Sequence, residues 1–301
     1  MPLWLAATLA AALFQTWRTA LQQRLRGQLS VNAAGVVRYL YGVPVGLVIF
    51  GLYLAVFGAS PRPISAGFLL WCAGAGILQI LGTNLLIMAF GPRGFAVGTA
   101  YAKTEAVQGA VIALILLGEH LSALAWAGIG VCVAGTLYLS LAGRRLSVGE
   151  FLRATGQPAA LYGLGAGFVF AFTAVCVKGA NLALGGSDLV LNALQSLVVT
   201  NVMQTLMQGG YLLAREPKQV RGVFTTWRTS AQAGALSACG SACWFTGFAL
   251  APVAMVRAVG QVEILFTLAF SRWYLRESPT RTDIVGALAV VAGVVLVLIG
   301  R

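Results

Sequence analysis

Long apolar runs alternate with short polar connections along the whole chain. About ten of the runs could form a helix that crosses a bilayer, for which roughly 20 residues suffice. The first, Leu3 to about Gln22, has no basic leading segment, and its first charge, Arg18, comes late. It is expected to be a helix of the fold and not a secretory signal. The second covers about 32–57, with Pro44 as an expected kink. The third covers about 66–90, and the fourth follows Gly91-Pro92-Arg93 and ends near Leu117. The fifth opens after Ser122, a suitable N-cap, and ends before Arg144-Arg145. Spans six to ten are expected near 159–184, 187–214, 228–250, 252–275 and 282–300, the last opened by a capping box, Thr280-Arg281-Thr282-Asp283.

Two lone carboxylates interrupt this pattern near the middle of spans four and nine. They are Glu105 and Glu263, 158 positions apart. At the same offset Glu119 matches Glu277, Gly128 matches Gly286 and Gly135 matches Gly293. The chain therefore reads as a duplication: a first five-helix repeat over 1–145, a hinge loop over 146–158 and a second five-helix repeat over 159–301. Five spans per copy is an odd number, so the second copy must enter the membrane upside down. The expected fold class is an all-α polytopic membrane protein with ten transmembrane helices as two inverted five-helix repeats. The paired glycines in spans five and ten are expected to be packing surfaces.

Composition supports the membrane reading. A 301-residue chain that is 59% hydrophobic and 9% charged could not cover a soluble surface with polar groups. A net charge of +12 would suggest nucleic acid in a soluble protein, but the arginines sit mostly in connections, where they set topology. No basic-aromatic loop or zinc spacing accompanies them, so nucleic acid is excluded as a partner. With both termini outside, the inward loops would hold twelve cations, including Arg24, Arg93, Arg144, Arg215, Lys218, Arg221 and Arg276, against Arg62 and Arg301 on the other side. Termini outside is the expectation, in a bacterial-type inner (plasma) membrane.

Enzyme chemistry finds no support. There is no zinc-protease pair, nucleophile elbow or phosphate loop, and Gly163-Leu164-Gly165-Ala166-Gly167 runs into Phe168 where a dinucleotide loop needs glycine. The five cysteines, Cys72, Cys132, Cys176, Cys239 and Cys243, lie in apolar runs and read as small buried hydrophobes. Cys239 and Cys243 share a helix face with no histidine or third cysteine beside them, and no metal or cofactor is expected.

Leu116-Leu117-Gly118-Glu119-His120-Leu121-Ser122, followed by Gly128 and an apolar helix to Leu141, resembles the end of an EamA-type repeat of the drug/metabolite transporter superfamily. Arg276-Glu277, Gly286 and Gly293 repeat the pattern. The resemblance implies a secondary transporter, often an exporter of amino acids, metabolites or drugs, with helices 1, 3, 4, 6, 8 and 9 around a central cavity. Two features depart from it. Many relatives carry a proline in the middle of helices 4 and 9, where this chain has Thr104-Glu105-Ala106 and Val262-Glu263-Ile264. Many also keep their termini in the cytoplasm, against the loop charges here.

An ionisable group in the bilayer core normally faces a partner or a wet cavity. Desolvation favours a protonated carboxylate and a neighbouring cation favours an ionised one, so a balanced carboxylate can exchange a proton for substrate. Glu105 and Glu263 are the expected proton-coupling residues; an ion pair that only fixes packing is the alternative. Cations that could face them are Arg18, Arg38, Lys103, Lys178 and Arg257, of which Arg18, Arg38 and Lys178 sit nearer helix ends and read as snorkelling. On an ideal helix Tyr101 and Gln108 share the Glu105 face, and Lys103 lies about 200° away. Arg257, Gly260 and Glu263 step around one flank of span nine, with Gln261 beside them. Gln15, Trp17, Gln79, Asn84 and Trp244 complete the expected substrate-binding set. The surplus of cations suits a substrate with an anionic group, such as an amino acid or organic acid.

The expected function is thus proton-coupled secondary transport, as an exporter, of a small polar or amphipathic metabolite. One five-helix unit would rock against the other. A lipid or lipid-linked-sugar flippase and a membrane scaffold are the alternatives. Expected partners are a small-molecule substrate, protons and membrane lipid, with the chain a monomer or homodimer.

Overall fold

The structure, a computed structural model, describes residues 1–25, 27–89, 101–141, 158–270 and 281–300. Among these residues the elements are all helices. The hinge over 146–157, Glu277 and Thr280 lie outside them, as do the expected start of span four and the end of span nine. Six helical stretches among the described residues are long and apolar enough to cross a membrane, and residues 105–117 and 123–139 form shorter apolar helices.

Two compact units divide the chain, each drawing on both halves of the sequence: residues 1–80 with 176–251, and 81–175 with 252–301. The first unit contains α1 (Leu3–Leu25), α2 (Val31–Leu40), α3 (Gly42–Phe57), α8 (Leu189–Arg215), α9 (Pro217–Thr225) and α10 (Trp227–Leu250). The second contains α5 (Glu105–Leu117), α6 (Ala123–Leu141), α11 (Val253–Gly260), α12 (Glu263–Phe270) and α13 (Arg281–Ile299). Helices α4 (Ala66–Ala89) and α7 (Pro158–Ala183) run from one into the other.

In the first unit the expected kink at Pro44 takes the form of a break at Tyr41 between α2 and α3. Proline has no N–H to bond the carbonyl of Leu40, and it crowds that carbonyl, so the helix parts one turn earlier. Asp188 caps α8 by accepting from the Leu191 amide at 3.0 Å, and its carboxylate also accepts from the Tyr53 hydroxyl at 2.9 Å. The sequence reading leaves 215–227 as a connection, but most of it folds into α9. Pro217 starts that helix without losing a bond, and Val223 enters a core with Leu25, Leu29 and Leu212.

In the second unit α6 and α13 pack antiparallel through the duplicated glycines. A Cβ on Gly128 would lie 2.7 Å from the Gly293 carbonyl oxygen, and one on Gly135 would lie 3.1 Å from that of Gly286. Only glycine admits backbones this close. The buried stripe of α13 is Gly286, Val290, Gly293 and Val297. Its other faces expose Ile284, Leu288, Val295 and Ile299, a surface suited to lipid and unsuited to water. Ser122 caps α6 as expected, accepting from the Ala125 amide at 3.1 Å.

Spans four and nine are not the continuous helices their apolar character suggests. A turn at 103–104 precedes α5, and a turn at 261–262 separates α11 from α12. The two breaks fall 158 positions apart, the offset of the expected duplication, and each places its glutamate first in the following helix.

Candidate functional site

Both breaks are held by bonds that a straight helix would not make. At the first, the Tyr101 carbonyl accepts from the Thr104 amide at 3.2 Å and from its hydroxyl at 2.6 Å. At the second, the Gln261 and Val262 amides reach back three residues, to Ala258 and Val259, at 3.1 Å. Such tightening leaves the next helix with a fresh N-terminus, whose positive dipole end favours a carboxylate. Glu105 and Glu263 occupy those positions. No proline is needed to make either break.

The glutamates are then matched with cations from the opposite half of the sequence. The Lys103 ammonium lies 2.6 Å from Glu263 Oε2, with both side chains about six-sevenths buried. Arg257 Nη1 lies 3.4 Å from Glu105 Oε1, and Arg257 Nη2 donates to the Phe170 carbonyl at 3.0 Å. The carboxylate of each half of the sequence therefore meets the cation of the other half. Two cations and two carboxylates balance within this cluster, so the surplus of positive charge expected from the sequence does not arise at the glutamates.

Other sequence candidates in this unit take distinct places. Gln108 donates to the Thr104 hydroxyl at 2.8 Å, one turn below the break. Tyr101 is buried against Ala160 and Leu164, and because the helix parts at 103–104 it no longer shares a helical face with Glu105. Gln261 is buried in the second turn, its amide directed at the Arg257 carbonyl at 3.5 Å. Asn84 is half-buried on α4. Gly167 packs on the first break: a Cβ there would sit 2.9 Å from the Ala102 carbonyl and 3.4 Å from the Glu105 amide.

The remaining candidates belong to the first unit. Trp244 Nε1 donates to Gln15 Oε1 at 3.1 Å, Gln79 Oε1 accepts from Gln204 at 2.6 Å, and Trp17 is 58% exposed. Arg38 is buried there and donates to Ser237 at 3.2 Å, and Lys178 donates to the Ala251 carbonyl, just past the C-terminus of α10, at 3.0 Å. Burial of Arg38 corrects its reading as a snorkelling side chain. Two parts of the charge cluster had not been singled out in the sequence: the Phe170 carbonyl, which has no side-chain signature, and Thr104, whose signal is its place beside Glu105. Glu119 had been marked there by its match to Glu277. Glu119 Oε2 accepts from the Val253 amide at 2.8 Å and so caps α11, the helix that carries Arg257.

Residues 157–299 match the model of the EamA-like transporter family. No curated protein matches the chain in sequence. A protein of known crystal structure, 18% identical, superposes with a TM-score of 0.70 over 98% of this chain and 97% of its own, which establishes a shared fold. The match falls on the second half of the chain, in agreement with the sequence resemblance there, and with six helices long and apolar enough to cross a membrane among the described residues the protein is a multi-pass membrane protein.

Proposed function

We propose that the chain is a proton-coupled secondary transporter, working as an exporter, for a small polar or amphipathic metabolite such as an amino acid or organic acid. The observation that carries this reading is the crossed pairing of Glu105 with Arg257 and Glu263 with Lys103 at two equivalent helix breaks. Discontinuous helices whose half-helix ends meet charged groups are how many transporters hold substrate and coupling ion near the midplane. The antiparallel packing of α6 on α13, equivalent helices of the two copies, supports ten spans in two inverted five-helix repeats.

Protonation of Glu263 removes the charge that holds Lys103, and protonation of Glu105 does the same for Arg257. Each freed cation can then take an anionic group of the substrate, while Gln108 and Gln261, beside the breaks, offer amide hydrogen bonds. Deprotonation restores the pairs and expels the anion. Carboxylate and substrate anion thereby compete for the same cations, which links substrate occupancy to protonation of the glutamates.

The test uses purified protein in liposomes under an inward proton gradient, with amino acids, organic acids, organic cations and nucleosides passed over the membrane in turn. Capacitive currents for one class, absent from the Glu105→Gln/Glu263→Gln variant, are the expected result. Currents unchanged in that variant would reject the glutamates as coupling groups. Silence across the panel with a folded protein would reject a soluble substrate and make a lipid-flipping assay decisive.

A further inference from the structure

The connection between α8 and α10 carries a charge pattern that transport at the helix breaks does not use. From 210 to 228 the chain has four cations, Arg215, Lys218, Arg221 and Arg228, and all four are exposed. Its one acid, Glu216, is turned inward: Oε1 accepts from Asn32 at 2.6 Å and Oε2 from the Ser30 hydroxyl. That carboxylate is occupied in joining α9 to the N-cap of α2, so it does not screen the exposed cations.

The helix itself has two sides. Val220 and Val223 pack into the core of the first unit, the Tyr41 hydroxyl donates to the Val223 carbonyl at 3.1 Å, and Gln219 accepts from the Ser30 amide at 3.2 Å. Lys218, Arg221 and Phe224 follow one another at three-residue steps along the opposite side, with Phe224 58% exposed. Trp227 is 56% exposed, and the Arg228 guanidinium stands 5.6 Å from its ring centroid. Arg24, at the end of α1, is exposed next to Leu25, which lies in the same core as Val223. Since α8 and α10 are both long and apolar enough to cross a membrane, the segment joining them lies at a membrane edge.

We propose that α9 and its flanks are a docking site for anionic phospholipid headgroups. Arginine and lysine would bind the phosphates, and Phe224 and Trp227 would seat at the headgroup level. Cations beside aromatic anchors in this layer are the arrangement that anionic lipid surfaces attract, each basic residue contributing roughly a five-fold factor in affinity. The occupied side of α9 rests on Ser30, the N-cap of α2, through both Glu216 and Gln219, so a bound headgroup also braces the start of the α2–α3 span. This inference concerns the first unit and stands independently of proton coupling.

Native mass spectrometry of the full-length protein in non-ionic detergent tests it, with dioleoyl-phosphatidylglycerol titrated against dioleoyl-phosphatidylcholine. Wild type is expected to retain the anionic lipid preferentially, and R215Q/K218Q/R221Q/R228Q to lose that preference by at least roughly ten-fold while binding phosphatidylcholine as before. Should the four-fold variant fail to fold, K218Q/R221Q is expected to reduce the preference several-fold. Equal retention of the two lipids by wild type, or a preference that survives neutralisation, overturns the proposal. Displacement of the anionic lipid by millimolar inorganic phosphate assigns the patch to a soluble anion and overturns it equally.

Discussion

The Cys132 thiol donates to the Val290 carbonyl at 3.5 Å, and the two residues are 158 positions apart, the offset that separates Glu105 from Glu263. Equivalent positions can touch only where a two-fold axis passes between them. The glycines on either side obey the same symmetry: Gly128 meets Gly293 and Gly135 meets Gly286, each pair crossing from one copy to the other. The packing of α6 on α13 is therefore reciprocal, as in a symmetric dimer, although both helices belong to one chain.

A bulky side chain at this contact should be costly in a way its neighbours are not. Gly293→Leu would drive its side chain into the Cys132 amide and the Gly128 carbonyl, with Cβ distances of 2.6 and 2.7 Å, against backbone that cannot step aside. The expected loss is about 3 kcal/mol or failure to fold. Gly130→Leu, on the same helix as Gly128 but with nothing within 4 Å of its Cβ, is expected to leave stability unchanged. Thermal unfolding of the two variants in detergent, followed by size-exclusion chromatography, separates the cases.

Lys103 and Glu263 form the shortest ion pair among the described residues, at 2.6 Å. Lys103→Glu would bring two carboxylates together, and Glu263→Lys two ammonium groups, in a nearly dry place. Removing one member of a buried pair costs about 3–5 kcal/mol, and reversing it costs no less. The swapped variant, Lys103→Glu/Glu263→Lys, is expected to recover folding. Because the swap offsets both single losses, a double-mutant cycle on unfolding should give a coupling of at least about 6 kcal/mol. Additive single effects would mean that the pair does not hold the second break.

The glutamates were legible in the sequence because a lone acid in an apolar run must meet a cation or a wet cavity, and the expectation of a duplication rested on their common offset with three further matches. Six of the expected spans were legible because hydropathy reports burial in lipid directly. The breaks were not. Nothing local forces a turn at Lys103-Thr104 or at Gln261-Val262, and no proline marks either. Their partners, Phe170 for Arg257 and Glu263 for Lys103, lie 87 and 160 residues away along the chain. Ideal-helix geometry therefore placed Tyr101 on the face of Glu105, when the turn between them separates the two. Helix α9 was missed because it carries few apolar residues and its anchor, Glu216, binds Ser30 and Asn32 near the other end of the sequence.

Arg257 is predicted not to tolerate lysine. Its guanidinium reaches Glu105 with one nitrogen and the Phe170 carbonyl with another, 3.4 and 3.0 Å away. A single ammonium on a different stem cannot span both, and the unmet group stays buried. Arg257→Lys should cost about 1–3 kcal/mol in stability, the range for an orphaned buried acceptor. It should also weaken transport of the substrate identified in the liposome panel. Wild-type stability and flux in Arg257→Lys would reduce Arg257 to a bare positive charge.

Glu216→Gln tests the anchor of α9 from within the fold. The carboxylate accepts from the Ser30 hydroxyl and the Asn32 amide, and Ser30 in turn accepts from the Ala33 amide as N-cap of α2. Glutamine keeps the shape but loses the charge and replaces one acceptor with a donor facing another donor. Hydrogen bonds to charged groups contribute about 1.5–3 kcal/mol each, so the variant should lose about 2 kcal/mol overall. Because the loss acts on α9 and the first turn of α2, hydrogen exchange should quicken over 30–34 and 217–225 while α6 and α13 keep their protection. Uniform acceleration across both units would show that Glu216 supports the whole fold and not this corner of it.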